Sequence, residues 1–252
     1  NIASDKNFYL GLRRIPKKAK IIGAQLFVRP GTLMNIVTDE CEIPFKVIPD
    51  KILVNGPGYH FDSAKVRVAV GPALRYKHLF NYDIHENSNE IILAILPYFD
   101  HATKHILDLI GKIDWPVPVV VKFHSTMNSK NYESMIPENT SVTTEPVAEL
   151  LKRTLIAIGQ STGGLIEACA LGIPAIDICY PDKFSHFYMP EIGKGIIWDQ
   201  AKNSREIEQL IKQFQKSLLE NPEPIREEGK KMKSFCFAES TEELINQAFE
   251  ID

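Results

Sequence analysis

Gly159-Gln160-Ser161-Thr162-Gly163-Gly164 is a run of small and polar residues. It lies between an apolar stretch, residues 155–158, and a helical pattern carried by Leu165, Ile166, Cys169, Ala170 and Leu171. A hydroxyl residue at a helix start caps free backbone N–H groups, and paired glycines let a ligand approach the main chain closely. Free N–H groups at the positive end of a helix suit a phosphate. Glu167, inside the helix that follows, is placed to accept hydrogen bonds from ribose hydroxyls. The competing reading is a plain helix cap, because neither G-x-x-x-x-G-K-[ST] nor G-x-G-x-x-G occurs in the chain.

Further residues with chemical potential surround this turn. His124 ends a β-branched run over 117–123 and precedes a polar loop, with Lys122, a candidate ligand for the same anion, two residues before it. A neutral imidazole donates to a phosphate oxygen, and an imidazolium offsets negative charge on a departing group. Arg75 stands in the turn Gly71-Pro72-Ala73-Leu74-Arg75-Tyr76. Its fork of donors fits a phosphate or a carboxylate, against an ordinary surface ion pair as the alternative. Asp39, Glu40 and Glu42 form an acidic loop in which Glu40 is the candidate base for a hydroxyl proton; a solvated loop is the bland alternative. Asp182 and His186 lie in a loop after the apolar run 175–178 and are candidates for donor contact. His101 and His105 share one helix face, but no third ligand stands near them, and they read as a solvated face. No D-x-D occurs, so the charge of a diphosphate would be met without metal by the helix terminus, His124 and Arg75.

The elements that must position these residues are legible as periodic runs. Strands are expected over 21–28, 52–55 and 66–70, and residues 81–89 read as a linker. Beyond it come a strand at 90–96, a helix over 101–113 capped by Asp100, and the 117–123 strand. A polar loop over 125–139, a short strand at 141–143 and a helix over 146–152 follow. The strands at 155–158 and 175–178, a last strand at 195–198 and helices opened after it and at Thr241 complete the pattern. Alternation of this kind specifies an α/β fold with parallel sheets covered by helices on both faces. The expected organisation is an amino-terminal α/β domain over 1–85, a Rossmann-like domain over 86–235 and a terminal helix over 236–252. In parallel sheets ligands sit beyond the carboxyl ends of the strands. His124, the 161–164 turn and the 182–186 loop all follow such ends and should converge on one crevice.

Composition limits the function classes. A formal net charge of −3, with 24% charged and 44% hydrophobic residues, is that of an ordinary soluble protein and argues against a nucleic-acid binder. Cys41, Cys169, Cys179 and Cys236 form no C-x-x-C pair and read as reduced thiols of a cytoplasmic protein. No apolar run reaches the ~18 residues of a spanning helix. Arg13, Arg14, Lys17, Lys18 and Lys20 make a basic cluster, either a solvated face or a patch for an anionic acceptor or membrane surface. The chain opens at Asn1 without methionine or a signal-like segment, and reads as a fragment, an excised domain or a chain lacking its start.

With Glu167 and the run Ala170-Leu171-Gly172-Ile173-Pro174-Ala175-Ile176, the 159–164 turn resembles the carboxyl-terminal half of glycosyltransferases of the GT-B fold. That resemblance implies a sugar nucleotide whose phosphates meet the helix start, contacted by Gln160, Ser161, Thr162, Gly163, Gly164 and Glu167. Val54-Asn55-Gly56-Pro57 with the 70–76 turn is similar to bacterial capsule and lipopolysaccharide biosynthesis proteins. Lys122-Phe123-His124 resembles the strand-end His-Pro motif of bacterial polysialyltransferases and glycerophosphotransferases, with Ser125 in place of the proline. There the histidine and a later Ser/Thr pair grip the phosphate of a cytidine nucleotide. The implied activity is transfer of a hexosyl, sialyl or Kdo-type sugar to a bacterial surface polysaccharide. A CMP-linked acidic sugar stands ahead of a UDP sugar as donor, with no cofactor beyond this substrate. The implied acceptor is a glycan or lipid-linked glycan, met at the inner face of the membrane and within a larger synthase if the chain is one part of it. A sugar-nucleotide epimerase of the same architecture, and a non-catalytic nucleotide- or glycan-binding module, remain as alternatives. The amino-terminal acceptor half is short for a complete enzyme of this fold.

Overall fold

The computed structural model describes residues 3–15, 20–28, 40–63, 66–82, 89–138, 140–180 and 187–251. The chain forms two units, one of Asn1–Phe80 with Ser234–Asp252 and one of Asn81–Lys233.

In the first unit, α1 (Ala3–Arg13) precedes three parallel strands, β1 (Ile22–Ala24), β2 (Lys51–Val54) and β3 (Arg67–Val70), paired in that order. β2 is central, and all four of its residues are buried. Even Lys51 is covered, its ammonium donating to the Ala248 carbonyl at 2.8 Å; burial, then nearby Arg67, lowers its pKa. The strand expected over 21–28 pairs only at Ile22–Ala24, because Gln25 then engages the main chain. Its side-chain oxygen accepts from Asn55 N at 3.1 Å and its amide donates to the Phe27 carbonyl at 2.8 Å. The glycines of the Asn55–Gly58 motif are needed for close approach. A Cβ on Gly56 would lie 2.4 Å from the Cys236 carbonyl carbon, and one on Gly58 would run 2.1 Å from the Phe235 ring. Two cations of the basic cluster are already paired, Arg13 with Asp50 and Lys20 with Glu250. Lys17 and Lys18 lie outside the described residues.

The second unit holds β4 (Ile91–Ile95), α2 (Asp100–Ile110), β5 (Val119–Lys122), β6 (Thr140–Thr143), α3 (Val147–Leu151), β7 (Thr154–Gly159), α4 (Gly164–Ala170), β8 (Ala175–Ile178), β9 (Trp198–Ala201) and α5 (Ser204–Glu220). Its sheet is parallel throughout, in the order β6-β5-β4-β7-β8-β9. Ile106, Leu107 and Ile110 of α2 and Ile207, Ile211 and Phe214 of α5 pack with Ile92, Ala94, Ile156, Ile158 and Ile176 in one apolar core. Alternate strand residues face opposite ways, so Ile95 points to the other face, where a Cβ on Gly164 of α4 would meet its Cδ1. Helices therefore cover both faces, and the fold is α/β of the parallel, doubly wound kind. α6 (Glu223–Cys236) runs from the second unit into the first. There α7 (Glu242–Phe249) begins at Thr241, whose hydroxyl accepts from Leu244 N at 3.2 Å.

Three local expectations change. The cap of α2 is Phe99; Asp100 is the first helical residue, and its carboxylate accepts from the Tyr132 hydroxyl at 2.9 Å. The polar loop over 125–139 contains a 3-10 helix, Ser129–Met135, anchored by the buried Tyr132. The strand expected at 195–198 begins only at Trp198, whose indole donates to the Ile192 carbonyl at 2.8 Å.

Candidate functional site

The sheet order reverses direction at β4 and β7, the two central strands. β4 leads to α2 on one face and β7 to α4 on the other, so their loops part and leave a crevice at the carboxyl edge. Ile95 pairs with Gly159, so both loops start side by side. Gly159 and Gly164 hold the turn against β4. A Cβ on Gly159 would lie 2.7 Å from the Ile95 carbonyl oxygen, and one on Gly164 would lie 2.7 Å from Ile95 Cδ1. Between them Ser161 adopts a left-handed conformation at φ 51°, which costs a non-glycine residue about 1 kcal/mol or more. Thr162 Oγ1 accepts from Gly164 N at 3.3 Å, and Gly163 has ordinary helical torsions.

The polar side chains of this turn are buried without partners. Gln160 is 2% exposed and Ser161 7%. Neither the Gln160 amide nitrogen and oxygen nor Ser161 Oγ has a hydrogen-bond partner among the described residues. A buried polar group left unsatisfied costs about 1–3 kcal/mol, and one of these three atoms belongs to the strained Ser161 itself. Glu167, half-buried, falls in the first turn of α4.

His124 is exposed just past the end of β5. Its Nδ1 lies 2.8 Å from Thr126 Oγ1 and accepts from Thr126 N at 3.3 Å. Those contacts favour the tautomer with hydrogen on Nε2, which leaves Nε2–H as a donor. Lys122, by contrast, donates to the Thr144 carbonyl at 2.9 Å and ties β5 to the end of β6. Next to His124 stands Tyr98, with ring centroids 5.7 Å apart, and Tyr98 lies 4.0 Å from Phe99. Burial, with Tyr98 close by, raises the pKa of the Tyr188 hydroxyl.

Asp177 escapes a sequence reading because it falls in the run 175–178, which is otherwise apolar; a lone acid in a buried strand was the available signal. It pairs across the sheet with Gly159 on one side and Gln200 on the other. Its carboxylate accepts from Gln200 Nε2 at 3.3 Å. Burial pushes the carboxyl up to about 7, against a smaller lowering by Gln200. The folded chain thus retains a proton that the unfolded chain releases at much lower pH. This group's contribution to stability is present below the unfolded carboxylate value, falls as pH rises toward 7, and stays lost above it. Asp177→Asn should therefore be more stable than the parent at about pH 8, by on the order of a few kcal/mol and with a correspondingly higher Tm, and should match it at about pH 4. Thermal melts at both pH values check this, and an equal gain at both would remove the carboxyl as the titrating group. Burial likewise pushes the thiols of Cys179 and Cys236 up, to about 11 and about 12, so both are protonated near neutrality.

The remaining candidates are distributed more widely. Arg75 and Glu40 belong to the first unit. Arg75 stacks over the Phe27 ring at 4.4 Å and lines a pocket with Gln25, Leu53, Asn55 and Phe249. Glu40 opens a short 3-10 turn, Glu40–Glu42, in which Glu42 is ion-paired with Lys6. Asp39, Asp182 and His186 lie outside the described residues. His101 and His105 correct the reading of a solvated face. Both pack on Tyr180, at 5.8 and 4.5 Å between centroids, and burial lowers the pKa of His105. Among the described residues no group of three His, Cys, Asp or Glu side chains is arranged to hold a metal, and no helix is long and apolar enough to cross a membrane.

No protein-family model and no curated protein matches the chain. Solved structures do. S. aureus MnaA, in a co-structure with UDP, is similar with a TM-score of 0.54 and 12% identity, over 94% of this chain and 76% of that one. A chain of the GtfA/B complex gives 0.53 and 10%, over 92% and 52%. Acinetobacter baumannii MurG gives 0.50 and 12%, over 92% and 67%. At such identities the likeness is one of fold, and it agrees with the GT-B-like architecture of parallel sheets flanked by helices.

Proposed function

We propose that the second unit binds a nucleotide-activated sugar and that the chain serves in glycosyl transfer to a glycan or lipid-linked glycan of a bacterial surface polysaccharide. The observation that carries this reading is the 159–164 turn, where buried, unpartnered Gln160 and Ser161 meet a left-handed backbone at the switch point of a doubly wound sheet. The Gln160 amide N–H and the Ser161 hydroxyl are the neutral donors for phosphate oxygens, and His124 Nε2–H supplies a donor toward a departing nucleotide. Lys122, held by Thr144, supports the end of β5 in this scheme. The Lys122-Phe123-His124 resemblance favours a CMP-linked acidic sugar; the fold likeness to MnaA bound to UDP supports a uridine nucleotide as the rival donor. The chain spans 52% of the GtfA/B partner and 67% of MurG, and transfer itself is part of the proposal.

Thermal-shift measurements against CMP, CDP, UDP and GDP test the site, because specific binding raises apparent stability. No shift with any of the four would sink the nucleotide reading. Product analysis with a shifting nucleotide's sugar conjugates separates transfer from epimerisation, which needs no acceptor. Glu167 provides a finer test. Glu167→Ala should weaken the bound ribonucleotide by about 1–2 kcal/mol, the scale of one charged hydrogen bond. The same change should leave a 2′,3′-dideoxy analogue unaffected in calorimetry. Equal weakening of both ligands would make Glu167 a support of α4 and not a ribose contact.

A further inference from the structure

Resting on the nucleotide reading, we propose that Tyr98, backed by Phe99, is the stacking platform for the planar base of the bound nucleotide. β4 and β7 run side by side with Ile95 paired to Gly159. Tyr98 comes three residues past Ile95, and Ser161 two residues past Gly159, so both lie in loops that leave the carboxyl ends of adjacent strands. Tyr98 is 44% exposed although it belongs to a large aromatic type, and no hydrogen bond of its hydroxyl explains that position among the described residues. Phe99 lies 4.0 Å behind its ring at a 35° tilt, and His124 lies 5.7 Å away at 57°. The rings continue through His101 to Tyr180 along the same edge. The loop after β7 therefore holds unpartnered neutral donors of the kind that suit phosphate, and the loop after β4 presents π surface suited to a flat heterocycle. A nucleotide combines both chemistries in one molecule, separated by a ribose. Stacking tolerates any base, so this platform supplies affinity while leaving the choice of base to edge contacts.

Calorimetry with CMP, UMP and ribose 5-phosphate on the parent, Tyr98→Ala and Tyr98→Phe tests the platform. The expected result is about 10- to 100-fold weaker binding of the favoured nucleotide by Tyr98→Ala, the scale of one lost base stack. Tyr98→Phe should restore that affinity, and ribose 5-phosphate should bind all three proteins alike. Equal weakening of ribose 5-phosphate, or unchanged nucleotide affinity in Tyr98→Ala, overturns the platform and leaves the phosphate turn standing. A parent that binds none of the three overturns the nucleotide reading and the platform together. Should Tyr98→Ala fail to fold, Tyr98→Trp reads the same point. Its added fluorescence should be quenched by the nucleotide and not by ribose 5-phosphate, and quenching by neither overturns the stack.

Discussion

His124→Ala is expected to slow transfer from the nucleotide-activated sugar by about 10²–10³-fold while changing the Kd for the donor little. The expectation starts from where negative charge accumulates. When the glycosidic bond to the nucleotide breaks, the leaving phosphate oxygen gains charge, and a donor set in place beforehand acts mainly on that state. His124 lies just past the end of β5, one strand over from β4, at the same carboxyl edge as the 159–164 turn. Thr126 holds Nδ1 through its main-chain N–H at 3.3 Å and its hydroxyl at 2.8 Å, so Nε2–H is the free donor. A neutral donor predicts the outcome of a second substitution. His124→Asn keeps an N–H group without the capacity to carry a proton's charge, and it should recover part of the rate. Recovery by neither Asn nor Gln would assign the effect to imidazolium charge. Full activity of His124→Ala with chelator present would move leaving-group stabilisation elsewhere.

The parts of this site that were readable in the chain are those announced by abrupt changes of residue type. Gly159 to Gly164 stands out because six small or polar residues interrupt two apolar runs, and the structure puts a strand end and a helix start on either side of them. The parallel sheet was legible for a similar reason, since β4, β5, β7 and β8 are short, buried and separated by helical spacing. What escaped depends on pairing across the sheet. Asp177 matters because Gln200 on β9 faces it and Gly159 flanks it, and neither neighbour is near it in sequence. The role proposed for Tyr98 rests on the strand order, in which β4 and β7 are neighbours. Lys122 adds a long-range tie of the same kind: its type and place beside His124 suggest an anion ligand, and its ammonium also donates to the carbonyl of Thr144, 22 residues later, with two N–H donors left over. His101 and His105 look like a polar helix face by spacing, yet the chain returns at Tyr180 to pack on both, with Phe99 also against His101.

Gly163→Val should lower nucleotide affinity about 100-fold or more while leaving Tm close to that of the parent. The contrast with its neighbours carries the argument. Gly159 and Gly164 are needed by the fold, because a Cβ at either would press on Ile95 at 2.7 Å. Gly164→Val should therefore lower Tm, with overpacking of about 1–3 kcal/mol, and any loss of binding in that variant says little about the ligand. Gly163 is different. Its φ of −66° and ψ of −18° lie where any residue is at ease, so valine adds no backbone strain. It is also only partly buried, between the two tightly packed glycines and beside the unpartnered Ser161 hydroxyl. A branched side chain at that point would stand where a phosphate has to approach the turn. The loss is then steric and local, visible in calorimetry and absent from the melting curve. A folded Gly163→Val protein that still binds its nucleotide with the parent's affinity would reduce the turn to a helix cap, and the orphaned Gln160 and Ser161 would need another explanation.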